Sequence, residues 1–150
     1  MILYLDSSAL VKRYVQEQGS QAVGDAIAAA QLTGTAIITR AEVGAALAKA
    51  VRTSALTREE ALACLGRFQQ DWPRLVRTRV GEPTVARAEQ LAWQYNLRGY
   101  DAVHLASALL WQESLSESVT MAAFDHALWK AASQAGLIAY PAELIGSATP

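Results

Sequence analysis

Short, wholly apolar runs alternate with amphipathic stretches along this chain. Ile2-Leu-Tyr-Leu5 ends at Asp6, and Ser7-Ser8 opens a segment in which Leu10, Val11, Tyr14 and Val15 recur at helical spacing. The pattern predicts strand, turn, helix. Ser20 precedes helix-favouring residues 22–31, Gly34 breaks that pattern, and Ala36-Ile-Ile38 predicts a second strand running into a helix over 40–52. Thr57-Arg-Glu-Glu60 matches a capping box, in which a hydroxyl and a carboxylate satisfy the free amides of a first helical turn; that helix runs to residue 70, before Pro73. A third strand is expected over 75–80. Gly81-Glu-Pro83 places a proline just inside a helix over 84–95, and Asn96 with Gly99 marks a break before another over 100–112. Residues 119–123 read as a fourth strand, Asp125 as the cap of a helix to 135, and residues 137–140, after Gly136, as a fifth strand.

Strands buried on one face alternate apolar and polar residues; these do not. Apolar strands alternating with helices predict an α/β fold, a single domain with an about five-stranded parallel sheet and helices on both faces. A chain of 150 residues that is 52% hydrophobic can bury one sizeable core, so one domain over 1–145 and a short tail at 146–150 are expected. The chain contains no internal repeat or low-complexity linker. Its apolar stretches are broken well before the roughly 18 positions of a membrane span, and Asp6 interrupts the first run too early for a secretory leader. The expected location is the cytoplasm. The single cysteine, Cys64, has no partner for an intrachain disulfide and no Cys or His at metal-ligand spacing, so it reads as a small buried hydrophobe and zinc is not suggested.

Charge alone counts against a nucleic-acid partner: 13 basic and 14 acidic residues give a net −1. If four carboxylates are committed to a metal, the remaining 13 basic and 10 acidic residues leave a small positive excess, which permits an RNA substrate without arguing for one. The acids themselves are more informative. Asp6 follows the first strand, Glu42 the second and Asp125 the fourth, while Asp101 lies in the opening turn of its helix. Ligands of open parallel sheets bind beyond the carboxyl ends of the strands, so these four can share a pocket though distant in sequence.

Each acid also has a plain structural explanation, since helix N-termini favour negative side chains by about 1 kcal/mol. Asp6 and Asp125 fit as caps, and Thr39-Arg-Ala-Glu42 is itself a capping-box match. Capping does not explain why Asp6 follows a central strand, or why Asp101 stands in the small, apolar segment Gly99-Tyr-Asp-Ala-Val-His-Leu-Ala-Ser-Ala108. Carboxylates crowded in such a place raise one another's pKa unless a cation neutralises them, and a hard ion with oxygen ligands, Mg²⁺ or Mn²⁺, is the natural partner. Such an ion activates water for attack on a phosphodiester without a Cys, Ser or His nucleophile. On that reading His104 and His126 are structural rather than ligands or bases, and Ser8 supports a carboxylate. Trp72, Trp93, Trp111 and Trp129 are core or subunit contacts, and Lys12, Arg13 and Arg40 are surface charges near the strand ends.

At these residues the chain resembles the PIN-domain family, in its VapC-type toxin branch. Tyr4-Leu-Asp-Ser-Ser-Ala-Leu-Val-Lys-Arg-Tyr14 is similar to the family's opening motif, Ala41-Glu-Val43 to its second, and Arg98-Gly-Tyr-Asp-Ala-Val-His-Leu-Ala-Ser-Ala108 to its third and most specific; Phe124-Asp125 falls where the fourth acid is expected. Ala123 is a departure, because the family often carries Ser or Thr two residues before that acid, and it bears on Asp125 more than on Asp6, Glu42 or Asp101. The resemblance implies a Mg²⁺- or Mn²⁺-dependent endoribonuclease acting on RNA. It further implies a homodimer, inhibited by a cognate VapB-type antitoxin that lays a helix in a groove and brings a basic side chain to the acids.

Two other readings compete. One is a catalytically silent PIN-like module that binds RNA or a protein. The other is an aspartyl phosphatase with Asp6 as nucleophile, although such enzymes resemble Asp-x-Asp after the first strand and Ser8 stands in the second place.

Overall fold

The computed structural model describes residues 1–144, so the expected tail at 146–150 lies outside the described residues. Five parallel strands, β1 (Ile2–Leu5), β2 (Leu32–Ala36), β3 (Val76–Thr78), β4 (Val119–Ala122) and β5 (Ile138–Tyr140), form one sheet in the order β3-β2-β1-β4-β5. Around it lie α1 (Ser7–Val11), α2 (Ser20–Ala29), α3 (Thr39–Arg52), α4 (Arg58–Asp71), α5 (Glu82–Tyr95), α6 (Gly99–Leu115) and α7 (His126–Gln134). This is the α/β architecture that the apolar strands predict. Among the described residues no helix is long and apolar enough to cross a membrane.

Strand alternation divides the core in two. Ile2 and Tyr4 of β1, with Val119 and Met121 of β4, pack against α5, α6 and α7. Leu3 and Leu5, with Ala122, pack against α1, α3 and α4. Because both faces of β1 are covered, all four of its residues are buried, and the segment carries no polar position. The α4 capping box forms as expected, with the Thr57 hydroxyl accepting from the Glu60 amide and the Glu60 carboxylate accepting from the Thr57 amide.

The second strand lies earlier than the sequence suggests. It ends at Ala36, where residues 36–38 are expected, and Gly34, read as the break after the preceding helix, sits inside the strand. The reason is tertiary. The Trp111 indole of α6 rests on Gly34, where a Cβ would lie 2.7 Å from the ring, so glycine there marks a close approach and not a turn. The segment after α1 also departs from regular helix, since Lys12 and Arg13 bond three residues back, to Ala9 and Leu10. Of the tryptophans, Trp72 and Trp111 are core, whereas Trp93 is 88% exposed.

The fold creates one topological switch. From β1 the chain moves to β2 on one side, and from β4 to β5 on the other, so a crevice opens beyond the carboxyl ends of β1 and β4. Asp6 and Asp125 sit on either side of it.

Candidate active site

All four acids line one cavity of about 720 Å³, together with Ser7, Ser8 and Arg98 and an apolar wall that includes Val85 and Ala88 of α5. The strand ends bring Asp6 and Asp125 there directly. The first turns of α3 and α6 supply Glu42 and Asp101.

Asp6 lies deepest, only 3% exposed. Its Oδ1 accepts the Ala9 amide at 2.8 Å, which makes it the N-cap of α1, and the Ser8 hydroxyl lies 2.9 Å from both of its oxygens. Burial pushes the Asp6 carboxyl up to about 6; the Ala9 amide and Ser8 offset part of that rise, and the Asp101 charge adds to it. The capping explanation is therefore true but incomplete: a cap needs no burial, and this carboxylate is held where its charge is costly.

Glu42 is fixed from two sides. Ser7 Oγ donates to its Oε2 at 3.0 Å, and His104 Nε2 lies 2.7 Å from its Oε1. His104 is buried, and its Nδ1 lies 2.9 Å from the Tyr4 hydroxyl. Burial raises the Tyr4 hydroxyl far above its ordinary pKa, so it keeps its proton. The self-consistent pattern has the Tyr4 O–H donating to Nδ1 and the Nε2–H donating to Glu42. The capping box anticipated at Thr39 and Glu42 does not form, because Thr39 is buried with its hydroxyl 2.7 Å from Thr35 Oγ1 and α3 begins without a side-chain cap.

Asp101 and Asp125 are held differently. Their side chains are 15% and 37% exposed, and both meet Arg98: its Nε donates to Asp101 Oδ2 at 2.8 Å, and its Nη2 lies 3.5 Å from Asp125 Oδ2. Asp125 Oδ1 accepts the Leu128 amide at 3.1 Å and caps α7. The two carboxylates raise the pKa of the guanidinium, which stays protonated. Ala123, the departure noted in the sequence, is fully buried in the core against α5–α7.

Of the remaining candidates, Ser8 does support Asp6. His126 stacks on Trp129 at 6.2 Å. Lys12 pairs with Glu17 at 3.0 Å and lines an adjoining recess of about 270 Å³ that also touches Ser7, Ser8 and Glu42. Arg40 lies over Trp72. Sequence reasoning missed two contributors. His104 was read as structural, yet it holds an acid of the cluster, and its place one turn after Asp101 on the same helix face was the available signal. Arg98 entered only as the first residue of the third motif and was given no role, although it stands three residues before Asp101.

Comparison with known proteins agrees with this geometry. Residues 3–132 match the PIN domain. Two curated relatives from Mycobacterium tuberculosis, Ribonuclease VapC45 (strain CDC 1551 / Oshkosh) and Ribonuclease VapC49 (strain ATCC 25618 / H37Rv), are each 35% identical over 147 residues, covering 95% of this chain and 97% of the relative. The fold is similar to FitAcB from Neisseria gonorrhoeae, with a TM-score of 0.61 at 19% identity over 88% of this chain and 94% of that one. It is also similar to VapBC2 from Rickettsia felis bound to a DNA fragment from their promoter, with a TM-score of 0.58 at 14% identity over 83% and 88%. A match over most of the chain, with an acidic crevice at the switch point of its sheet, places this protein in the PIN-domain family.

Proposed function

We propose that this chain is a divalent-metal-dependent endoribonuclease and the toxin of a toxin–antitoxin pair. The observation that carries the reading is the convergence of Asp6, Glu42, Asp101 and Asp125 on one cavity. The two curated relatives, each named a ribonuclease and aligned over nearly the whole chain, support it.

The donor set fits Mg²⁺ or Mn²⁺. It offers carboxylate oxygens, and the nearest imidazole nitrogen is already committed to Glu42. Among the described residues no three His, Cys, Asp or Glu side chains form a ready metal cage; Mg²⁺ is usually bound through one or two carboxylates and keeps several waters. Asp6, Glu42, Asp101 and Asp125 are the residues that would hold such an ion, directly or through its waters. When bound, it neutralises charge on the phosphoryl oxygens and makes water a stronger nucleophile at neutral pH.

The chain's own residues do the positioning. Ser7 and His104 fix the orientation of Glu42, and Ser8 with the Ala9 amide orients Asp6, so these carboxylates would receive a cation without reorganising. Both Asp6 oxygens are hydrogen-bonded, which makes it a poor covalent nucleophile. Attack by water predicts fragments with linear phosphate ends.

An antitoxin partner is inferred because a structure from Klebsiella pneumoniae that is similar in fold is described as a toxin–antitoxin complex. A homodimer is inferred from exposed Val85, Trp93 and Tyr100 on α5 and α6, apolar surface that a second subunit would cover. The test is incubation of purified protein with a mixed cellular RNA pool in Mg²⁺, Mn²⁺ or EDTA, followed by end-group analysis. Metal-dependent fragments with linear phosphate ends support the proposal. Cyclic 2′,3′-phosphate ends, or cutting undiminished in EDTA, contradict it.

A further inference from the structure

The four acids divide into two pairs by what holds them. Asp6 and Glu42 are fixed by neutral donors on rigid elements: the Ala9 amide, two serine hydroxyls and a buried imidazole. Asp101 and Asp125 are bridged by one guanidinium, that of Arg98, whose side chain is 77% exposed and projects from the N-cap position of α6. The bridge consumes binding capacity. Asp125 Oδ1 is taken by the Leu128 amide and Oδ2 faces Arg98, so both of its oxygens are engaged. Asp101 Oδ2 is engaged as well. A monovalent cation thus stands between two carboxylates that a divalent ion would need, and it can leave without breaking a helix cap or opening the core.

We propose that Arg98 is an internal counter-cation that competes with the divalent metal for Asp101 and Asp125 and swings aside when the metal enters. The inference rests on the metal-dependent reading given above. Arg98 spares the metal-free protein the repulsion between two like charges and sets a threshold concentration for loading. Its exposure fixes the size of the effect: a solvated ion pair is weak, so it lowers metal affinity by about three- to tenfold rather than by orders of magnitude.

The experiment is calorimetric titration of Mn²⁺ into metal-free full-length protein, which reads affinity independently of cleavage. Arg98→Gln is expected to bind Mn²⁺ about three- to tenfold more tightly than wild type, and Arg98→Lys, which keeps the charge but not the bridging fork, to fall between them. Arg87→Gln removes a charge from an ion pair with Glu113 outside the cavity and is expected to leave affinity within about twofold. Equal or weaker binding by Arg98→Gln overturns the proposal, as does equal tightening by Arg87→Gln, which assigns the effect to net charge. If wild type binds, Asp101→Asn does not, and Arg98→Gln matches wild type, only the role of Arg98 fails. If wild type binds no Mn²⁺, the metal-dependent reading fails with it.

Discussion

His104 joins Glu42 to the centre of the sheet: its Nε2 lies 2.7 Å from Glu42 Oε1, and its other ring nitrogen lies 2.9 Å from the hydroxyl of Tyr4 on β1. A buried hydrogen-bonded chain from β1 through α6 to α3 therefore sets the orientation of one acid in the cavity. Residues that orient metal ligands in this way are typically worth about 10- to 100-fold in affinity or activity.

His104→Ala is accordingly expected to lower the cleavage rate by about 10- to 100-fold, while His104→Gln, which keeps a donor at similar reach, recovers part of the loss. Steady-state kinetics on both variants checks this. If the two variants lose stability and activity in the same proportion, His104 is a packing residue and not a positioning one.

Asp6 ties stability to pH. Its pKa is about 6 in the folded chain against an ordinary 3.8, so the folded state holds this proton more tightly than the unfolded state. The sign follows: stability is greatest with respect to this group below pH 3.8, declines as pH rises through 6, and above that carries a penalty of order 3 kcal/mol. Asp6→Asn removes the charge and can still accept the Ala9 amide. In EDTA at pH 7.5 it should melt about 5 °C or more above wild type, with the advantage gone near pH 4, while cleavage is abolished. A pH series of melting curves decides, and a pH-independent difference contradicts the assignment.

Asp125 is both a helix cap and a member of the cluster, and the two roles separate by substitution. Asp125→Asn keeps an acceptor for the Leu128 amide and should melt close to wild type, whereas Asp125→Ala loses the cap, worth about 1 kcal/mol. Both should cut RNA at least about tenfold more slowly if the carboxylate serves the metal. Wild-type cleavage by Asp125→Asn would reduce this residue to its capping role, the outcome that Ala123 at the family's Ser or Thr position makes worth testing.

Gly34 and Trp111 form a close-packed pair. Gly34→Ala drives a methyl group into the indole and should cost about 1–3 kcal/mol. Trp111→Leu in the same chain makes room and should return part of that loss, a coupling that a double-mutant cycle of melting data measures directly.

These residues also mark how far the sequence could be read. The strands were legible because burial on both faces leaves no charged position in β1 or β4, and the acids were legible because the ends of parallel strands are where such a fold places its chemistry. Gly34 was misread because its reason, Trp111, lies on a helix far along the chain. His104 looked like core because it is core; its bond to Glu42 exists only once the sheet brings α6 and α3, packed on its opposite faces, together at the strand ends. Arg98 resembled any surface arginine. Its spacing to Asp101 was readable, but its contact with Asp125 depends on how the loop after β4 meets the start of α6, which neither local propensity nor periodicity encodes.

The most direct measurement compares wild type, Asp6→Asn and Asp101→Asn for RNA cleavage in Mn²⁺, with circular dichroism confirming that all three are folded. The account predicts fragments from wild type alone, lost on adding EDTA. Equal cleavage by all three would place the chemistry outside the acidic crevice, and no cleavage by folded, antitoxin-free wild type would make this chain a binding module instead of a nuclease.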